Sequence, residues 1–400
     1  MQGSQNVRGI EGSATLAIAA LCRELRAQGR EVIDLGVGEP DFRTPEFIAE
    51  AGIASIEQGF TQYTPVPGIP ALRKAIAERI RAETGKSATA DGVVVTSGAK
   101  QAIFNACFVL FGPGDKVLIP SPYWTSYPAL VKLARADTVF VKMSAEQNFR
   151  LSVKDLDAHW SEGIRGLIIN SPSNPTGAVY TLPELDAIAR WANERKIWII
   201  SDEIYGRICF TADRAASLLD LDESLLDRVV IVDGASKTYA MTGWRLGYSY
   251  SHPGVAKELA ALQSQITSNA ASPSQYAALA AYQDDARGRE SIRAMVRIFQ
   301  QRRDKTVAQL ATDLPKAEPY VPGGAFYLFV RVDEYFDEQL HDSATFCAWL
   351  LDQTGVALVP GSAFGDDRYV RLSLAAPNAA LAEAVRRAGE ALEKRLALTP

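Results

Sequence analysis

Seven short apolar runs between residues 92 and 250, separated by stretches of helical character, constrain this chain more than anything else in its sequence. The runs are Val93–Thr96, Lys116–Ile119, Thr138–Val141, Gly166–Ile169, Trp198–Ser201, Val229–Val232 and Leu246–Tyr250. A strand that is apolar throughout, rather than at alternate positions, is covered on both faces, and helices between such strands supply the cover. The pattern therefore predicts an α/β fold: a three-layer αβα unit around a mostly parallel seven-stranded sheet. One connecting helix is marked by its own chemistry, because Thr181 followed by Glu184 makes a capping box before residues 182–195. Amphipathic helices are also predicted over 14–27 and 69–83.

A chain of 400 residues exceeds what one core holds, since single cores stop growing at roughly 250–300 residues. After about residue 290 the pattern changes to long helices with strands at Ala325–Val332, Ala357–Val359 and Tyr369–Ser373. We expect a large unit over 46–290, a smaller α+β unit over 291–400, and an N-terminal segment, 1–45, packing with the smaller one.

Composition excludes several classes. Net charge is −5 with the basic residues dispersed, so the footprint of a nucleic-acid binder is absent and small molecules are the expected partners. Cys22, Cys107, Cys209 and Cys347 are far apart and form no CxxC pair; His159, His252 and His341 are isolated. Buried thiols in a reducing compartment and no metal are the expectation. No apolar run reaches the roughly 18–20 residues of a membrane span, and no signal segment is visible, so a cytoplasmic protein is expected.

Ligands of open parallel sheets bind at the carboxyl ends of the strands. Four such ends carry suggestive residues. Ser97-Gly98-Ala99-Lys100 opens a helix whose unpaired N–H groups suit a phosphate, although an ordinary helix cap reads the same way. Asn174, set between turn-formers in the loop 170–177, can present an amide to a ligand or serve a structural turn. Asp202 can cap a helix or hold a ring nitrogen protonated, and Tyr205 can donate to an oxygen beside it. Lys237 lies between two predicted strands, where a desolvated amine can attack a carbonyl, and Arg245 eight residues on offers a charge suited to phosphate.

With these residues in place, the chain resembles the class I aminotransferases of the aspartate aminotransferase superfamily, fold type I pyridoxal-5'-phosphate enzymes, and most of all the bacterial aspartate aminotransferases. The resemblance runs from Gly38-Glu39-Pro40-Asp41 to Arg371-Leu372-Ser373 through NPTG, SDEIY and SKTYAMTGWRLGY. It implies pyridoxal phosphate held by Lys237 as a Schiff base, with Asp202 on the pyridine nitrogen and Tyr205 and Asn174 on the ring's phenolic oxygen. Trp124 matches the residue stacked on the ring; Ala99, Lys100 and Arg245 match phosphate-binding positions; Tyr63 matches a tyrosine that reaches the neighbouring subunit's phosphate, which implies a homodimer. Gly38 and Arg371, with Trp124 and Asn174, match the substrate α-carboxylate site. Lys100, Ser13 and Thr15 match positions that bind the side-chain carboxylate.

There are departures. Many relatives carry a phosphate-binding serine where this chain has Gly234, and Ser236 stands directly before the lysine. Relatives that accept prephenate tend to have a lysine where this chain has Glu11, which predicts weak prephenate activity. The resemblance implies an L-aspartate:2-oxoglutarate aminotransferase working by a ping-pong mechanism. Alternatives are an aminotransferase for aromatic amino acids, alanine or prephenate, another pyridoxal-phosphate enzyme such as a C–S lyase, or a cofactor-binding regulator; the last would carry an additional DNA-binding segment that is not seen here.

Overall fold

The computed structural model describes residues 4–10, 12 and 14–398; Glu11 and Ser13 lie outside the described residues. Seven strands form the central sheet in the order Val93–Thr96, Gly247–Tyr250, Val229–Gly234, Trp198–Asp202, Ile164–Asn170, Lys116–Ser121 and Asp137–Lys142. Neighbours are parallel except Gly247–Tyr250, which runs antiparallel to both strands beside it. The reversal follows from its connection. After Val229–Gly234 the chain makes only the four-residue helix Ala235–Thr238 before turning back, whereas a parallel return needs a crossover with a full helix.

Val93–Thr96 is buried at every position, as are the first four residues of Val229–Gly234. Of the two edge strands, Val93–Thr96 is covered by neighbouring helices, whereas Asp137–Lys142 has an open flank and buries only Val141. The helix predicted at 182–195 spans Leu182–Glu194, and the Glu184 carboxylate accepts from the Thr181 backbone N–H at 2.8 Å. The helix predicted at 69–83 is Pro70–Thr84; Gly85, at φ 72°, ends it in the left-handed conformation glycine adopts freely.

A second, antiparallel sheet has the order Val359–Pro360, Tyr369–Ser373, Tyr327–Arg331 and Glu318–Tyr320. The strand predicted at 357–359 is split: Val356–Ala357 pairs in parallel with Ile33–Asp34, and Val359–Pro360 joins the four-stranded sheet. The N-terminal segment is thus stitched to the C-terminal part by backbone bonds. It is also held by Arg302, which donates to both Asp41 carboxylate oxygens at 2.7 and 2.8 Å. Arg302 belongs to the 29-residue helix Asp285–Asp313, which runs unbroken across position 290.

The four cysteines are buried and free. Among the described residues, no helix is long and apolar enough to cross a membrane, and no cluster of three or more His, Cys, Asp or Glu could hold a metal ion.

Candidate active site

The carboxyl ends of the parallel strands open on a cleft of about 630 Å³, closed on its far side by the antiparallel sheet and the N-terminal segment. Lys237 sits in the short helix that follows Val229–Gly234, and its Nζ donates to the Gly38 carbonyl at 2.5 Å. Its pKa is lowered to about 8, chiefly by burial; Glu39 and Asp202 pull against the shift, and Arg245 and Arg371 add to it. A lysine so placed is partly neutral near physiological pH and can act as nucleophile or base.

Asp202, the last residue of its strand, is 3% exposed. Burial pushes its pKa up to about 6, although the Tyr127 hydroxyl donates to Oδ2 at 2.7 Å and the Ile204 N–H to Oδ1 at 3.2 Å. A buried carboxylate under this strain gains most from a cationic partner. Tyr205 is fully buried, which holds its phenol protonated well above the usual range, and its Oη lies 2.9 Å from the Tyr327 Oη.

Arg371 is 1% exposed. Its Nη1 donates to Asn174 Oδ1 at 3.0 Å and its Nη2 to the Gly36 carbonyl at 2.7 Å, while Nε has no partner. The rings of Tyr327 and Phe364 flank the guanidinium at 4.4 and 5.0 Å. Among the described residues no carboxylate pairs with it at ion-pair distance. The surface ion pair that is an arginine's commoner fate is therefore not what Arg371 makes. A buried cation without a counter-ion is costly, and a ligand anion would relieve it.

Gly98 precedes the helix Ala99–Leu110, whose first two residues, Ala99 and Lys100, line the cleft. Arg245, at φ 52°, reaches across this turn: Nη1 donates to the Thr242 carbonyl at 3.0 Å and Nη2 to the Ser97 carbonyl at 3.3 Å. Any side chain on Gly98 would collide with it, its Cβ falling 2.4 Å from Arg245 Nη2. Gly247 lies below, where a Cβ would stand 2.3 Å from the Ala99 backbone nitrogen. Gly247→Ala should therefore push the helix N-terminus out of place and cost about 1–3 kcal/mol of stability. Chemical denaturation would show this as a lowered midpoint, and an unchanged midpoint would refute the close packing.

Gly234 is equally confined: its Cβ would meet Gly247 Cα at 2.8 Å and the Leu246 carbonyl at 2.9 Å. The serine many relatives have at this position finds no room here. Ser236 is buried and lines the cleft.

Trp124, Lys100 and Thr15 line the same cleft, with the Lys100 ammonium 5.0 Å from the Trp124 ring centroid. Partial burial and Arg245 lower the Lys100 pKa. Tyr63 is the exception: it is 91% exposed and lines no part of its own chain's cleft.

Two contributors escaped the sequence. Tyr127 stands three residues after Trp124, at helical spacing, so a signal was there to find; Tyr327 lies in an apolar strand that marks it only as core.

Pyridoxal phosphate fits these residues on structural grounds. A buried amine at Lys237 faces a carboxylate in want of a cation, and Arg245, with the amides after Gly98, forms a cradle no side chain at residue 98 could share. Fold and cleft together define the pyridoxal-phosphate class of enzymes. Within it, the chain belongs to the aminotransferases: a family model described as aminotransferase class I and II matches residues 30–388.

The aspartate aminotransferase of Bacillus subtilis (strain 168) is 38% identical over 395 residues, covering 98% of this chain and 100% of that protein. A Petunia hybrida protein, the bifunctional aspartate aminotransferase and glutamate/aspartate-prephenate aminotransferase, is 42% identical over 396 residues, covering 97% of this chain and 82% of that one. Among solved structures, the Thermus thermophilus aspartate aminotransferase with maleate superposes with a TM-score of 0.92 at 36% identity, covering 98% of this chain and 100% of that one.

Proposed function

We propose that this aminotransferase moves the amino group of L-aspartate to 2-oxoglutarate with pyridoxal phosphate as cofactor, donor and acceptor occupying one site in turn. The observation that carries the reading is Arg371: a buried guanidinium with an unpartnered Nε and no carboxylate of its own, in the same cleft as Lys237. Such a group is poised to take a substrate α-carboxylate with two parallel hydrogen bonds.

In this reading Lys237 holds the cofactor, Asp202 pairs with its ring nitrogen, and Tyr205 donates to its ring oxygen. Asn174 can donate to that oxygen through its amide nitrogen, since its Oδ1 is engaged by Arg371. Ala99 N–H, Ser236 and Arg245, with Lys100 nearby, hold the phosphate, and Trp124 covers the ring. When bound, the cofactor supplies an electron sink for the carbanion left by loss of the substrate Cα proton. Arg371 and Gly38 fix the carboxylate and so select which Cα bond can break. Once the substrate's amino group has taken its place on the cofactor, the freed Lys237 Nζ would take the Cα proton, and its lowered pKa would let it do so near neutrality.

The solvated Tyr63 supports a homodimer in which each protomer lends this residue to its partner's phosphate. Residues 46–290 then form the cofactor-binding unit, and 291–400, with 1–45, the smaller unit that carries Arg371; we place the enzyme in the cytoplasm.

The preference for aspartate rests on Lys100 and Thr15 in the cleft and on the names its relatives bear. A spectroscopic screen of half-reactions against single amino acids tests it. Lys100→Met should raise KM for aspartate by about 10–150-fold, the worth of one charge-assisted bond, and affect alanine far less. Equal effects on both amino acids would remove Lys100 from the substrate site. Ammonia in place of stoichiometric oxaloacetate would assign the fold to elimination chemistry instead.

A further inference from the structure

Tyr327 has no exposed surface and lies in the strand Tyr327–Arg331 of the antiparallel sheet, whereas Tyr205 follows the end of Trp198–Asp202 in the central sheet. Their hydroxyl oxygens meet at 2.9 Å, bridging the two sheets across the cleft, with the rings edge to face at 5.8 Å. For packing alone the hydroxyl is unnecessary. Phenylalanine would fill the same volume between Phe326 and Arg371 without burying a polar atom that must be paired.

A phenol has one proton to donate. If Tyr205 spends its proton on the cofactor's ring oxygen, its own oxygen can only accept from Tyr327, and the two bonds form a chain in which each strengthens the next. We infer that Tyr327 is a positioning residue: by donating to Tyr205 Oη it aims and polarises the Tyr205 proton toward the cofactor's ring oxygen, and so helps set the pH at which the bound cofactor titrates. The inference rests on the cofactor reading given above.

The charged groups around the pair are Arg371, whose guanidinium carbon is 4.4 Å from the Tyr327 ring, together with Asp202 and Glu39. Lys237 is close as well, held by the carbonyl of Gly38, whose absent Cβ would lie 3.4 Å from Tyr327 Oη. Tyr327→Phe alters none of these charges and keeps the ring against Arg371.

The test is a pH titration of the absorbance of holoenzyme reconstituted with pyridoxal phosphate. A weaker donor at Tyr205 leaves the ring oxygen less stabilised as an anion, so the bound cofactor keeps its proton to higher pH. Tyr327→Phe should raise the midpoint by roughly a few tenths of a pH unit with KM for aspartate essentially unchanged. Tyr327→Leu, which also removes the ring from Arg371, should raise KM as well. In a Tyr205→Phe background the same Tyr327→Phe change should shift nothing, since its route is gone.

An unchanged midpoint in Tyr327→Phe, or an equal shift with and without the Tyr205 hydroxyl, overturns the role of Tyr327 and leaves the proposed function standing. A wild-type protein that takes up no pyridoxal phosphate overturns the function and the role of Tyr327 together.

Discussion

Lys237→Ala enzyme is expected to fold normally and to lose transamination by at least about 10³-fold, with no residue able to take over. The lysine contributes one hydrogen bond, to the Gly38 carbonyl, and replacing it removes a desolvated cation from the cleft. Its chemical contribution is larger: positioned proton transfer alone accounts for about 10²–10⁴ in rate, and covalent retention of the cofactor adds to that. The single-turnover rate with aspartate measures the loss. Borohydride treatment should fix the cofactor to Lys237 in the wild type and to nothing in the variant; label on a different lysine would sink the assignment.

The same group sets a pH dependence whose sign is determined. With its pKa lowered to about 8, the amine is mostly protonated and unreactive below that pH. Attachment of the aldehyde by cofactor-free protein should therefore speed up with rising pH, close to tenfold per unit below the midpoint, and level off above about 8. A rate that is flat or falls across this window would contradict a desolvated, cation-flanked lysine.

Arg371→Met should lower kcat/KM by about 30- to 4,000-fold for every amino acid tried, the usual 2–5 kcal/mol for truncating one partner of a buried charge pair. The uniformity matters as much as the size, because an α-carboxylate is common to all substrates. Loss confined to dicarboxylic amino acids would move Arg371 to the side-chain end of the site. Stability should change little: the variant leaves Asn174 Oδ1 and the Gly36 carbonyl without their donor, but it also removes a buried cation that, among the described residues, has no carboxylate at ion-pair distance.

Much of the fold was legible because the strands of the central sheet are sealed on both faces. A strand such as Val229–Val232 must be apolar throughout, and that demand is local and visible in one dimension. The polar residues at or just beyond the ends of these strands stand out against such runs, which is why Asp202 and Lys237 are legible in the sequence. The reversal of Gly247–Tyr250 was not legible, because direction depends on the path of the connection rather than on strand composition. Nor was the split at residues 356–360, where consecutive residues choose different partners.

The sequence by itself determined which segments form strands and which reactive groups stand at their ends, since burial and turn chemistry act within a few residues of each position. Only the tertiary structure decided that Arg371 is a buried cation lacking a carboxylate, that Tyr127 and Tyr327 stand behind Asp202 and Tyr205, and that Tyr63 faces away from its own cleft. Those outcomes depend on distance and dielectric between groups as much as 335 positions apart, the span of the Arg371–Gly36 bond, and no local pattern encodes them.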